Sequence, residues 1–275
     1  MPVPNIRLND QNSIPQLGFG VWKIDDKDTD QAVISAINAG YRHIDTAKIY
    51  HNEEGVGRGI SNSGVSRGDV FIATKIWNDA QGYDATLRTF DESLQRLNMD
   101  YIDLYLIHWP MPSKDLFVDT WKALIQLKKE KRVKSIGVCN FRISDLERLI
   151  QDTGVVPSVN QIELHPEFQQ NELRIFHEKN NIVTEAWAPL ARGSLLDNPI
   201  LIDIAKNHNR TVAQVILRWH IEIGNVIIPK SISPQRMAEN FNIFDFSLTK
   251  GDHERIVSLD RADGRTGPDP DTFVG

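Results

Sequence analysis

The sequence predicts an α/β protein built as a (β/α)8 barrel, and three observations carry that reading. From residue 18 onward, short β-branched or aromatic runs alternate with longer amphipathic ones, the pattern of parallel strands joined by crossover helices. Eight such strand-like runs occur, the number that closes a barrel of this class. The length of 275 residues suits one barrel with modest additions.

Taken in order, residues 6–8 and 14–17 flank the polar run NDQN and read as a β-hairpin placed to plug the N-terminal end of the barrel. The barrel strands are expected at residues 18–23, 43–46, 70–75, 102–108, 135–139, 159–163, 182–186 and 226–229. Between them lie helical patterns such as 84–97, with apolar residues at 87, 90, 94 and 97, and 118–130. Gly40 after Asn38 and Ala39 marks the end of the first helix, where glycine accepts a left-handed conformation. Ser144 with Glu147 three residues later reads as a capping box opening another. The run GVGRG at 55–59 has no strand directly before it, so it reads as the start of a helix rather than a dinucleotide-binding turn. Residues 236–240 and 248–259 suggest extra C-terminal helices, and the Gly-, Pro- and Asp-rich tail RADGRTGPDPDTFVG reads as loop. No linker, repeat or low-complexity tract divides the chain, so residues 1–275 are expected to form a single domain.

Composition narrows the function. A net charge of −6 argues against a nucleic-acid surface, which needs an excess of lysine and arginine. The single cysteine, Cys139, excludes an internal disulfide and fits a reducing compartment. The polar N-terminus has no apolar core of a secretory signal, and no run approaches the ~18 apolar residues of a membrane span. A cytoplasmic, monomeric protein is expected. The eight histidines are scattered without metal-ligand spacing, so no metal is expected.

Active sites of such barrels form at the C-terminal ends of the strands. Asp45, Lys75 and His108 close three of the expected strands, and Tyr50 follows five residues after Asp45. Singly each has an ordinary explanation: an aspartate caps a loop, a tyrosine packs, a histidine sits satisfied in a core. Lys75 is harder to dismiss, because lysine inside an apolar strand is rarely buried without a partner. Together the four compose a proton-donating site. A neighbouring ammonium is expected to lower the phenol pKa from its usual ~10, a carboxylate to hold that ammonium, and a neutral imidazole to orient a substrate carbonyl.

The motifs NSIPQLGFGVWK, GYRHIDTAKIYHNEEGVG, TKIWN, DLYLIHWP, GVCNF, NQIELHP and IPKSISPQRMAENFNIFDF, in this order and across nearly the whole chain, resemble the aldo-keto reductase superfamily. The resemblance is closest to its bacterial branch that includes 2,5-diketo-D-gluconate reductases. It implies NADPH-dependent reduction of aldehydes or ketones, among them keto sugar acids and dicarbonyls. Asp45, Tyr50, Lys75 and His108 then stand as the catalytic tetrad, with Tyr50 giving the proton. Asn140, Gln161 and Trp187 fall at the nicotinamide end, Leu190 is a further cofactor-binding position, and Lys230, Ser231, Arg236, Glu239 and Asn240 match the segment that grips the adenosine 2′-phosphate. Ser233 stands where close relatives often carry arginine, which implies weaker NADPH preference and some use of NADH. Cys139 stands where many relatives have serine, and a thiol is a weak donor. Trp22, Trp77 and Trp109 are expected to line the substrate pocket together with His51. Lys48 and His51 replace smaller residues beside Tyr50 and either add positive charge to the pocket or face outward. A different class of reading keeps the barrel and cofactor site but makes the chain a low-turnover, nicotinamide-nucleotide-binding regulatory protein. A metal-dependent barrel hydrolase is disfavoured by the scattered ligands.

Overall fold

The computed structural model describes residues 3–273. The chain opens with an antiparallel hairpin of β1 (Asn5–Arg7) and β2 (Ser13–Pro15). Leu8 and Ile14 pack into one buried cluster with Ala73, Leu104, Leu106, Cys139, Val159 and Val226, all barrel residues. Asn12 Nδ2 donates to Ser135 Oγ over 3.1 Å, and Ser158 Oγ donates to Asn9 Oδ1 over 2.9 Å. Ser158 directly precedes one barrel strand and Ser135 lies in the first half of another, so the hairpin plugs the N-terminal end of the barrel.

The barrel consists of β3 (Phe19–Gly20), β4 (His43–Asp45), β5 (Phe71–Ile76), β6 (Ile102–Ile107), β7 (Val133–Cys139), β8 (Val159–Glu163), β9 (Val183–Trp187) and β10 (Val226–Ile227), each paired in parallel with its neighbour. A parallel bridge from Leu17 to Ile227 closes the ring, extended by Gly18 N to Ile227 O at 2.8 Å and Gly20 N to Pro229 O at 3.2 Å. At this seam the backbone runs against the His43 ring: a Cβ on Gly18 would fall 2.5 Å from Nδ1, so only glycine lets the strand pass. The first and last strands are shorter than the sequence predicts. Lys23 turns left-handed at φ 57°, and Pro229 has no N–H to extend the ladder.

The crossover helices are α1 (Asp26–Ala39), α2 (Glu53–Asn62), α3 (Tyr83–Leu97), α4 (Phe117–Lys129), α5 (Ile143–Thr153), α6 (Asn171–Lys179), α7 (Pro199–His208) and α8 (Val212–Glu222). They cover the outer face of the strands and build the main hydrophobic layer, which includes Trp121, Trp219, Tyr41 and Tyr105. Two further helices, α9 (Pro234–Phe241) and α10 (Lys250–Val257), follow the last strand. Gly40 ends α1 at φ 112°. The capping reading at Ser144 is wrong. Asp145 is the capping acid, accepting from Arg142 N at 3.1 Å, so α5 starts ahead of Ser144, which lies inside it. The bidentate Arg142–Asp145 pair outcompetes the weaker serine cap. Among the described residues no helix is long and apolar enough to cross a membrane.

Candidate active site

The C-terminal ends of β4, β5 and β6 bring the four proton-transfer candidates together. Asp45 ends β4, Lys75 is the penultimate residue of β5, and His108 directly follows β6. Tyr50 ends a single 3₁₀ turn, Lys48–Tyr50, which stops because His51 turns left-handed at φ 54°. Lys75 Nζ donates to Asp45 Oδ1 at 2.6 Å and to Thr46 O at 2.9 Å. The same ammonium lies 5.2 Å from the Tyr50 ring centroid. The Tyr50 and His108 rings meet edge to face with centroids 5.7 Å apart, and Trp77 packs against His108 at 5.0 Å.

Electrostatics corrects one expectation. Burial pushes the half-buried Tyr50 phenol up to about 12, and the pull of Lys75 in the opposite direction only limits that rise. The phenol pKa is therefore raised rather than lowered from its usual value, and the tyrosine is protonated at neutral pH. Lys75 is fully buried, which disfavours its charge, but Asp45 and Tyr50 more than compensate and its pKa rises. Burial, with the Lys75 charge added, holds the His108 imidazole well below its ordinary value, so it is neutral. Its Nδ1 is buried without a partner.

Around this cluster, Asn140 adopts a left-handed backbone at φ 63°. Its Nδ2 donates to His108 O at 3.0 Å, and its Oδ1 accepts from Trp187 Nε1 at 2.8 Å. Asn140 thus ties the histidine to the tryptophan that ends β9. Gln161 points into the barrel, where Nε2 donates to Asp45 Oδ2 and to Glu185 Oε2, each at 3.0 Å. Cys139 is fully buried in the apolar layer facing the plug, and burial pushes its thiol well above the ordinary range. Leu190 precedes the 3₁₀ turn Ala191–Gly193 that follows β9.

The segment after β10 presents Lys230 and Arg236 to solvent, and neither forms an ion pair among the described residues. Ser231 is buried, its Oγ accepting from Ser233 N at 3.1 Å. Ser233 caps α9 through Arg236 N at 3.4 Å. Glu239 accepts from Thr211 Oγ1 at 2.8 Å, and Asn240 is buried. Two exposed cations thus stand within seven positions of each other, on either side of the Ser233 cap.

The tryptophans divide into two groups. Trp77 and Trp109 flank His108 and share Phe273 of the tail, with ring centroids 6.2 and 4.4 Å from it. Trp22 is 41% exposed, lies under Lys23 and Arg192, and makes no ring contact with the other two among the described residues. Lys48 is tied to Asp79 at 2.9 Å and His51 is exposed, so the lysine brings its own counter-ion to the mouth.

Several contributors escape the sequence reading. Glu163 accepts from Thr266 N at 2.7 Å, Thr266 Oγ1 and Gly267 N at 3.0 Å, while Arg142 pairs with Asp271, and these bonds lash the tail across the mouth. Burial raises the Glu163 pKa, but bonds from His165, Thr266 and Gly267 hold it below the usual range. Nothing local in the tail sequence signals this anchoring. Glu185 was visible as a charged residue inside the apolar run VTEAW.

The model of the aldo/keto reductase family matches residues 16–261. An aldo-keto reductase of Mycolicibacterium smegmatis is 57% identical, the match covering 98% of each chain. The methylglyoxal reductase DkgA of Salmonella typhimurium is 49% identical, again over 98% of each. A crystal structure of a Gox0644 variant in complex with NADPH superimposes with a TM-score of 0.97 at 50% identity, covering 100% of both chains.

Proposed function

As this chain belongs to the aldo/keto reductase family and is an oxidoreductase that reduces carbonyl groups, we propose that Tyr50 is its proton donor and that small dicarbonyls and keto sugar acids are its substrates. The observation that carries the assignment is the buried Lys75–Asp45 pair set against the Tyr50 ring, with His108 edge-on beside it.

NADPH, when bound, supplies the hydride, as the cofactor of the similar Gox0644 structure indicates. Lys230 and Arg236 would hold its 2′-phosphate, Asn140 and Gln161 its carboxamide, and Trp187 would offer an aromatic face. As negative charge develops on the substrate oxygen, the Tyr50 hydroxyl gives up its proton to it. His108, neutral and held by its packing against Tyr50 and Trp77, donates a hydrogen bond to the same oxygen, which strengthens as charge builds. Lys75 steadies the phenolate left behind, and Asp45 keeps Lys75 charged and in place. Trp77, Trp109 and Phe273 exclude water from the carbonyl. The likeness to DkgA supports methylglyoxal as a test substrate.

The test is a panel of methylglyoxal, diketo sugar acids and aromatic aldehydes with NADPH and with NADH, run on the parent and on Tyr50→Phe. The variant is expected to keep cofactor affinity while turnover falls by about three orders of magnitude or more. Unchanged turnover would remove Tyr50 from the mechanism. NADPH binding without consumption across the panel would favour the regulatory reading.

A further inference from the structure

Beneath Lys75 the barrel holds a second carboxyl group that no step above uses. Glu185, in the middle of β9, is fully buried, and its Oε2 accepts one hydrogen of the Gln161 amide while Asp45 Oδ2 accepts the other. Both N–H bonds of Gln161 are therefore committed to carboxyl groups, which leaves its Oε1 as the atom that can accept from a ligand. Glu185 Oε1 has no hydrogen bond, and His43 Nε2, itself unpaired, lies 3.6 Å from it. The other ring nitrogen, Nδ1, faces Pro15 O at 3.4 Å, which makes Nδ1 the protonated one and Nε2 an acceptor.

Two acceptors cannot face each other unless one carries a proton. Burial holds the His43 imidazole down to about 4 and pushes the Glu185 carboxyl up to about 8, with Asp45 adding to the rise, so the acid keeps the proton at neutral pH. The titratable groups facing Glu185 are His43 and Asp45 from β4, Lys75 from β5 and Cys139 from β7. Lys75 is the one cation of that set, and Asp45 already matches its charge.

We infer that Glu185 is a positioning residue of the reductase site: as a neutral acid it fixes the Gln161 amide with its carbonyl oxygen toward the ligand, and on losing its proton to solvent base it places an unmatched negative charge beside the Lys75–Asp45 pair. This rests on the proton-transfer reading above and adds to it a second ionisation. The added charge holds the Tyr50 proton more tightly, which slows alcohol oxidation, the direction in which Tyr50 must act as base.

The test uses the full-length enzyme with Glu185→Gln and Glu185→Leu. In the parent, the pH profile of kcat for alcohol oxidation is expected to bend downward near pH 8. E185Q, which keeps an acceptor for Gln161 but cannot ionise, loses the bend. E185L, which strips Gln161 of one anchor, raises the Kd for NADPH by about threefold to tenfold. Infrared difference spectra of the parent between neutral and alkaline pH should show loss of a carboxylic-acid carbonyl band that E185Q lacks. A bend retained in E185Q, or no such band in the parent, overturns the inference, whereas a purely structural glutamate would change folding stability without moving the profile. A parent that turns over no carbonyl substrate sinks the proton-transfer reading instead, and the infrared and binding measurements still decide the state of Glu185.

Discussion

Lys75 Nζ donates to Asp45 Oδ1 over 2.6 Å, and both side chains are closed to water, at 0% and 2% exposure. Removing either partner leaves the other charge buried and unmatched, which costs about 3–5 kcal/mol, whereas removing both leaves a neutral pair. Lys75→Met and Asp45→Asn are each expected to lower unfolding free energy by about that amount, and the double variant to recover most of it in urea titrations. Carbonyl reduction should stay lost in the double variant, since the ammonium beside Tyr50 is gone. Additive destabilisation in the double variant would show that the pair does not act as a unit.

If the proposed phosphate site is right, cofactor choice turns on Lys230 and Arg236, exposed cations without ion-pair partners among the described residues. A charged hydrogen bond to phosphate contributes about 1.5–3 kcal/mol, so Lys230→Ala and Arg236→Ala should each cut the NADPH-over-NADH ratio of kcat/KM by about tenfold or more. Ser233→Arg adds a cation but removes the cap of α9, a loss of about 1 kcal/mol. The ratio should rise in that variant while Tm falls. An unchanged ratio in all three would move the phosphate site elsewhere.

The barrel was legible because its parallel strands are buried on both faces and read as apolar runs, and because polar residues at their ends interrupt those runs visibly. The strand Val159–Glu163 falls at the residues expected for it, and Asp45, Lys75 and His108 stand at or next to strand ends as expected. What escaped depends on three-dimensional closure. The Tyr50 pKa is decided by how much protein surrounds the phenol, which no spacing records, so burial overrode the Lys75 effect. Glu163 and Thr266 are 103 residues apart, and no local pattern ties such a pair. The α5 cap went astray for a nearer reason: serine is a common cap, but Asp145 with Arg142 makes the stronger set of bonds.

The tail reaches Trp187, the proposed stacking face for the cofactor, through Gly267. A Cβ there would run into Trp187 Cη2 and come within 3.0 Å of Glu163 Oε2. Gly267→Ala must therefore displace either the ring or the tail. The variant is expected to raise the Kd for NADPH and the KM for aldehydes together, and to increase proteolytic cleavage within residues 264–273. Phe273→Ala, which removes only the contact with Trp109 and Trp77, should raise the aldehyde KM and leave the NADPH Kd in place. The same pattern in both variants would mean that Gly267 acts through the pocket wall and not through Trp187.

Stability should fall in acid, and the buried histidines set the window. Burial holds His43, His177 and His220 neutral, with pKa values brought down to about 4, 3 and 3. In the unfolded chain an imidazole takes up a proton near 6.5, so the contribution of each is fully present above that pH and is lost as pH falls toward its folded value. Between pH 7 and 5 each costs about 2 kcal/mol. Glu185 acts in the opposite sense: its carboxyl is raised from 4.5 to about 8, so its contribution is complete below 4.5 and lost as pH rises through 8. Over the same interval it returns about 2.5 kcal/mol, less than the roughly 6 kcal/mol that these three histidines remove together. His108, held neutral in the same way, adds to the loss, so urea unfolding should show a net loss of at least about 3 kcal/mol from pH 7 to pH 5. Glu185→Gln lacks the opposing term, so its stability relative to the parent should rise as pH is raised from 5 to 8. A parent midpoint that stays level between pH 7 and 5 would mean that these histidines are not held neutral by the fold.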